Sequence, residues 1–299
     1  MTRSLVTGAS GFVGRHLLAH LAEAGDEVHG VDRDVDVTDR AAVETTIARV
    51  RPDVVYHLAA LTHVGDSWHD AHHYTKVNVV GTLHVLEATL RYAPDATVVV
   101  VSTAEVYGVV SLDDLPLDEG QPLRPVNPYA QSKAEAERVA RELSRRGLRV
   151  VVARPFNHIG PGQAPTFVVP ALASRLVNAR ERGEQSVAVG DLTTRRDFSD
   201  VRDVVRAYRL LGALGVSGEV YHVASGHDVA IADIAKWLVT RIAPNVRLVT
   251  SAELLRPIDV PVTRGSFAKL QRATGWEPRI TLANSLEDIV GDAEQRYAT

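Results

Sequence analysis

Cysteine is absent from the 299 residues, which rules out disulfides, thiol nucleophiles and thiolate zinc sites. Aromatic residues make up only 5%, and no basic block interrupts a chain of formal net charge -4. Neither the electrostatic footprint nor the stacking platform of a nucleic-acid binder is therefore visible. No apolar run approaches the ~18 residues of a membrane span. Met1-Thr2-Arg3 runs straight into the first apolar segment without room for a signal sequence. A soluble, cytoplasmic protein is expected, with neither membrane nor nucleic acid as partner. Internal repeats and low-complexity stretches are also missing. What remains is a globular composition, 45% apolar and 23% charged, in a chain long enough for one large α/β domain and a smaller lobe.

The stretch that organises the rest is Thr7-Gly8-Ala9-Ser10-Gly11-Phe12-Val13-Gly14. The apolar Ser4-Leu5-Val6 leads into it. A pattern with Leu17, Leu18 and Leu21 on one helix face leads out, so the glycines mark a strand-to-helix turn. Glycine allows the unusual dihedrals there and lets a pyrophosphate approach the free N–H groups of the first helix. The spacing is G-x-x-G-x-x-G. Next, Glu27 to Asp32 reads as a second strand ending in an acid, whose carboxylate can accept both adenosine ribose hydroxyls and would repel a 2'-phosphate. NAD(H) is thereby favoured. Arg33 follows at once and could pair with that phosphate, so NADP(H) stays possible. Thr38 or Asp39 is placed to cap a helix over 40–50. Asp53 to Ala60 is a buried third strand whose small end, Leu58-Ala59-Ala60, lets a cofactor pass closely. The order βαβαβ fits the first half of a doubly wound parallel sheet.

His69, His72 and His73 could share a helix face, but no further ligand or metal motif accompanies them, and no metal site is assigned. A long helix over 74–91 follows, and then Thr97 to Val101, a strand buried on both faces. Directly after it stand Ser102, Thr103, Ala104 and Glu105, at the strand end where open α/β sheets bind ligands. Asn127-Pro128-Tyr129-Ala130-Gln131-Ser132-Lys133 opens a helix with proline in its first turn, and Tyr129 and Lys133 are neighbours on one face. A carbonyl that receives hydride needs a proton on its oxygen. A phenol, with an ordinary pKa near ~10, gives one readily only when a cation stabilises the phenolate. Tyr129 is the candidate donor and Lys133 the cation, with the Thr103 hydroxyl holding the substrate oxygen. Farther on, helices over 168–182 and 201–214, strands over 187–189 and 219–223, and a last helix over 282–297 are predicted.

With Arg154-Pro155-Phe156-Asn157-His158-Ile159-Gly160-Pro161-Gly162-Gln163, Arg195 to Asp203 and Leu255 to Val260 added to these motifs, nearly the whole chain resembles the extended short-chain dehydrogenase/reductases. The likeness lies with their nucleotide-sugar branch, and within it the reductases of GDP-linked 4-keto-6-deoxy sugars. The resemblance implies a Rossmann sheet over residues 1–163 with return segments about 200–223, and a sugar-binding lobe from 164–199 and 224–299. It implies that Asp36 and Val37 touch the adenine and that His158 lies beside the nicotinamide. Asn157 and Val168 would face the sugar or its diphosphate, and Arg196 and Arg256 would hold the phosphates. Guanidinium groups suit phosphate oxygens, although either arginine could instead serve a structural pair with a carboxylate such as Asp197 or Asp203. The family is commonly dimeric. Hydride delivery to C4 of the keto sugar is the expected reaction. A 4,6-dehydratase or a 4-epimerase would use the same tyrosine and lysine. Glu105 suits a dehydratase, whereas Ala104 and the sequence after His158 suit a reductase. A dinucleotide sensor without turnover would be expected to lack Tyr129 or Lys133.

Overall fold

The computed structural model describes residues 1–254 and 260–298. Its strands are β1 (Arg3–Thr7), β2 (Glu27–Val31), β3 (Val54–His57), β4 (Thr97–Val101), β5 (Arg149–Pro155), β6 (Asn157–Ile159), β7 (Ser186–Val189), β8 (Arg195–Asp200), β9 (Val220–Val223), β10 (Asp228–Ala230) and β11 (Arg247–Thr250). Its helices are α1 (Phe12–Glu23), α2 (Arg40–Val50), α3 (Val64–Ser67), α4 (Ala71–Thr75), α5 (Gly81–Tyr92), α6 (Pro128–Arg145), α7 (Val168–Arg182), α8 (Val201–Leu214), α9 (Ile231–Ile242), α10 (Ala268–Thr274) and α11 (Leu282–Ala298). No helix among the described residues is long and apolar enough to cross a membrane.

Four consecutive valines in β4 put side chains on both faces of a sheet, and both faces are covered. Val99 packs with Leu17 and Leu21 of α1 and with Val204, Tyr208 and Leu211 of α8. Its neighbours Val98 and Val100 pack on the other side with Ile47 of α2, Leu86 of α5 and Leu143 of α6. Each buried valine contributes roughly 1.5 kcal/mol or more, and the alternation fixes which helix lies on which face. The sheet runs β2-β1-β3-β4-β5-β9, parallel at every pairing. The chain passes from β1 to β2 on one side and then crosses back over β1 to β3 on the other. The crevice beyond those strand ends is the switch point at which doubly wound sheets take ligands.

Local signals set the helix starts. Asp39 caps α2, its carboxylate accepting from the N–H groups of Ala41 at 2.9 Å and Ala42 at 3.2 Å. Asn127 caps α6 by accepting from Ala130 at 2.8 Å, with Pro128 in the first turn. The helix expected over 74–91 is present, running without a gap from Ala71 to Tyr92, but it is not α-helical throughout. A five-residue π turn, Lys76–Val80, stands between α4 and α5, and it turns Asn78 inward, only 1% exposed. Apolar periodicity cannot register one added residue per turn, whereas side-chain hydrogen bonds can hold it.

Beyond the large sheet, β10-β8-β6 and β11-β7 form two smaller sheets. They share a separate apolar cluster with α7, α9 and α11, including Leu176, Leu238 and Ile289. Trp276 is fully buried and donates its indole N–H to the Asp203 carbonyl at 3.0 Å.

Candidate active site

The glycine turn after β1 leaves no room for a side chain. A methyl group on Gly14 would lie 2.2 Å from the Gly8 carbonyl oxygen and 2.7 Å from that of Ala9. Gly8 has φ 72, and a methyl group there would lie 2.8 Å from the Ala59 nitrogen at the end of β3. The ends of β1 and β3 thus meet backbone to backbone, with Leu58, Ala59 and Ala60 half-buried beside them. Gly11, the residue before α1, offers no side-chain cap. A concave backbone surface at the start of a twelve-residue helix with uncapped N–H groups fits a dinucleotide diphosphate.

Ser10 donates its backbone N–H to Asp32 Oδ2 at 2.8 Å, and its hydroxyl donates to the same oxygen. Asp32 therefore steadies the glycine turn with one oxygen, while Oδ1 takes no hydrogen bond from a described residue. Arg33 is exposed. Asp36 is held below the usual carboxylate range by the Thr38 backbone and hydroxyl. Val37 is buried against Gly81, where an added methyl would lie 2.7 Å from it. Phe12 and Val13, the first residues of α1, are half-buried, and the Phe12 ring stacks parallel to His158, centroids 6.2 Å apart. Burial lowers the His158 pKa and leaves the ring neutral, and Nδ1 donates to the Phe156 carbonyl at 3.1 Å. The loop after β6 is pinned from two sides. Arg15 donates to the carbonyls of Ser10 at 2.6 Å and Gly162 at 3.1 Å, and His16 donates to that of Pro161 at 2.9 Å. From α11, Asp292 accepts the Gly162 N–H at 3.0 Å and Arg296 donates to the Gln163 carbonyl at 2.9 Å.

The chemical groups gather at the ends of β4 and the start of α6. Thr103 caps a 3-10 turn, Ala104–Tyr107, by accepting from the Glu105 N–H at 3.2 Å. Its hydroxyl also lies close enough to the Tyr129 phenol to lower the phenol's pKa. Tyr129 and Lys133 are 7% and 5% exposed. Burial raises the phenol pKa well above 10.0, the Thr103 hydroxyl beside it opposes this, and the charge of Glu105 adds to it. Lys133 is pushed down to about 8 by burial, partly offset by the negative charge of Glu137. The ammonium lies near His57, whose pKa burial lowers to about 3 with Lys133 adding to the fall.

Neutral His57 is fixed between Thr7 at 2.9 Å and Thr82 at 3.0 Å. The Thr82 hydroxyl already donates to the Asn78 carbonyl at 2.6 Å, so His57 carries its proton on Nε2 and accepts at Nδ1.

Asn78 is a site residue that reading the sequence missed. Its Nδ2 donates to the Leu61 carbonyl at 3.0 Å and to Ser132 Oγ at 2.9 Å, and its Oδ1 accepts the Leu61 N–H at 2.8 Å. Ser132 in turn donates to the Tyr129 carbonyl at 2.7 Å. The loop after β3 is thereby tied to the helix that carries Tyr129 and Lys133. The only trace in the sequence is a lone asparagine in an apolar helical stretch.

The remaining candidates are spread over the adjoining sheet. Asn157 is exposed at the start of β6, and Val168, 41% exposed, opens α7. Arg196 is buried on β8 and donates to the Arg195 carbonyl at 2.9 Å. Asp197 accepts from both the N–H and hydroxyl of Ser225 and from the N–H groups of Gly226 and Gly265. Asp203 pairs with Arg206 at 2.6 Å and accepts from the backbone of Arg279 and Ile280. Arg256 lies outside the described residues.

A pH dependence follows from Lys133. Its ammonium is protonated below about pH 8 and neutral above, so a reaction that needs the charge slows as pH rises through that value. A kcat profile showing an alkaline limb there is the expected outcome, and a profile flat across it would remove the need for the charge.

Residues 4–224 match the family model described as "NAD dependent epimerase/dehydratase family". The chain is 38% identical to GDP-6-deoxy-D-mannose reductase of Pseudomonas aeruginosa over 98% of both chains. It is 30% identical to dTDP-glucose 4,6-dehydratase of Neisseria meningitidis serogroup B over 97% of this chain and 92% of the other. The solved structure of RMD from Pseudomonas aeruginosa complexed with NADPH superposes with a TM-score of 0.90 at 36% identity, covering 99% of this chain and 100% of that one. With its parallel doubly wound sheet and its glycine turn, the chain belongs to the NAD dependent epimerase/dehydratase family.

Proposed function

We propose that this protein reduces the C4 ketone of GDP-4-keto-6-deoxy-D-mannose, or a sugar nucleotide of that type, to give GDP-D-rhamnose. The observation that carries the reading is the Thr103–Tyr129 hydroxyl pair at the mouth of the sheet, in a chain akin over its whole length to a GDP-6-deoxy-D-mannose reductase. Bound in the glycine turn, a reduced nicotinamide dinucleotide supplies the hydride. Tyr129, kept protonated at neutral pH by burial, gives its proton to the oxygen of the reduced carbon. Thr103 holds that oxygen in line, and Asn78 fixes the helix on which Tyr129 and Lys133 stand. Lys133 contributes positive charge to the pocket while protonated and can reach a ribose hydroxyl. His158, neutral and stacked on Phe12, walls the site without adding charge. Residues 1–163 and 200–223 hold the cofactor in this reading. Residues 164–199 and 224–299 enclose the sugar, with Asn157, Val168, Arg196 and Arg256 facing the nucleotide sugar. A cytoplasmic homodimer suits such an enzyme.

Asp32 and Arg33 divide the dinucleotides between them. A carboxylate at the end of β2 favours an unmodified ribose, hence NADH, while the exposed Arg33 guanidinium suits a 2'-phosphate. Arg33→Ala is expected to weaken NADPH about tenfold, the cost of a charge-assisted pair, and to leave NADH within about twofold. Fluorescence titration with each dinucleotide checks this, and equal losses would show that Arg33 does not read the phosphate.

One observation favours a second reading, a nucleotide-sugar 4,6-dehydratase. Glu105 stands near enough to Tyr129 to raise its pKa, and Asn127 Nδ2 contacts its carboxylate at 3.4 Å. An acid there could move the C6 hydroxyl out as water. The deciding experiment incubates the protein with GDP-4-keto-6-deoxy-D-mannose plus NADH or NADPH and, in parallel, with GDP-mannose and no added reductant. Consumption of the reduced dinucleotide in the first supports the reductase. Formation of a 4-keto product in the second supports the dehydratase instead.

A further inference from the structure

Glu137 lies one helical turn beyond Lys133 on α6, is 2% exposed, and takes no part in the proposed reaction. Its carboxylate is fully engaged. Oε1 accepts from the Ser102 hydroxyl at 2.5 Å and from Arg154 Nε at 2.8 Å, and Oε2 accepts from Arg154 Nη2 at 2.6 Å. Both partners lead back to Thr103. Ser102 is the residue before it, at the end of β4. Arg154, on the neighbouring strand β5, donates through Nη1 to the Tyr107 hydroxyl at 2.6 Å, and Tyr107 closes the 3-10 turn that Thr103 opens. One carboxylate on the Tyr129 helix is thus tied to both ends of the segment that carries Thr103, directly to Ser102 and through Arg154 to Tyr107. A buried ion pair is a weak source of stability, because desolvating its charges offsets their attraction. Holding two elements in register is a different effect, and it matters where a hydroxyl and a phenol must meet one substrate oxygen.

We propose that Glu137 is a positioning residue: through Ser102 and Arg154 it holds the Thr103 hydroxyl in register with the Tyr129 phenol, with its negative charge one helical turn from Lys133. The inference rests on the roles given above to Thr103, Tyr129 and Lys133. Ser102→Ala tests it by cutting the strand-side bond while leaving the Glu137–Arg154 pair in place. On the keto sugar that the parent enzyme reduces, kcat is expected to fall about tenfold, the scale of a sub-ångström misplacement. KM for the sugar and the dissociation constant for NADPH should stay within about twofold of the parent values, and the thermal midpoint should hardly move.

Glu137→Gln, which keeps the shape but not the charge, is expected to show a larger fall in kcat with the same split. Should it fail to fold, Ser102→Ala still decides. A Ser102→Ala enzyme with parental kcat overturns the proposal. So does one whose kcat loss merely follows loss of NADPH affinity or of folded protein. Tyr129→Phe run beside it separates the two levels. An inactive Tyr129→Phe with a fully active Ser102→Ala sinks this inference alone, whereas an active Tyr129→Phe sinks the functional reading and this inference with it.

Discussion

Tyr129→Phe is expected to lower kcat by roughly a hundredfold to ten-thousandfold, the range over which a positioned proton donor contributes, while dinucleotide affinity changes by less than about threefold. The substitution removes one oxygen and keeps the ring, which is 7% exposed and packs edge-on against Tyr74 with centroids 6.4 Å apart. Losing the phenol's polar contact with Thr103 costs at most about 1 kcal/mol of stability, too little to unfold the protein. The fall in rate is therefore chemical. Burial raises this phenol's pKa, so the side chain holds a proton throughout the neutral range, and the alkoxide formed by hydride addition is basic enough to take it. Single-turnover kinetics with saturating dinucleotide check the prediction, and turnover within threefold of the parent would show that another group delivers the proton.

Gly14→Ala is expected to abolish dinucleotide binding and to cost about 3 kcal/mol or more of stability, the scale of an overpacked site that cannot relax. The obstructing atoms are carbonyl oxygens of Gly8 and Ala9, at 2.2 Å and 2.7 Å from the added methyl, and neither can rotate away as a side-chain tip could. Relief requires moving the turn whose backbone would face the diphosphate. Gly25→Ala is the control. It has φ 83, with nothing within 4 Å of an added methyl, so its cost is conformational only, about 1–2 kcal/mol, with dinucleotide affinity unchanged. Thermal denaturation and NADH titration of the two variants separate steric closure of the turn from backbone strain. Equal behaviour would mean that the Gly14 contact is not what shapes the site.

The glycine turn, the buried valines of β4 and the acid after β2 were legible because each is a local requirement: one backbone conformation, one pair of covered faces, one strand end. Thr38-Asp39 and Pro128 likewise advertised the starts of α2 and α6, whereas the cap by Asn127 emerged only with the fold. What lies between elements was not legible. The π turn at Lys76–Val80 depends on Asn78 bonding Leu61 and Ser132, partners 17 and 54 residues away. Glu137 reads in the sequence as one more acid on a charged helix until the fold brings Ser102 and Arg154 to it. The expected partnership of Lys133 with Tyr129 followed from helix spacing alone. What spacing could not show is that the same ammonium lies within reach of His57 and Glu137, which come from a different strand and from the next turn of the helix.

The loop that follows His158 is gripped by α1 through Arg15 and His16 and by α11 through Asp292 and Arg296. Among the described residues, the first and last helices therefore share one clasp, next to the His158 ring stacked on Phe12. A growing polypeptide can build the large sheet's first strands early, but this wall beside His158 cannot be fastened until α11 has been made.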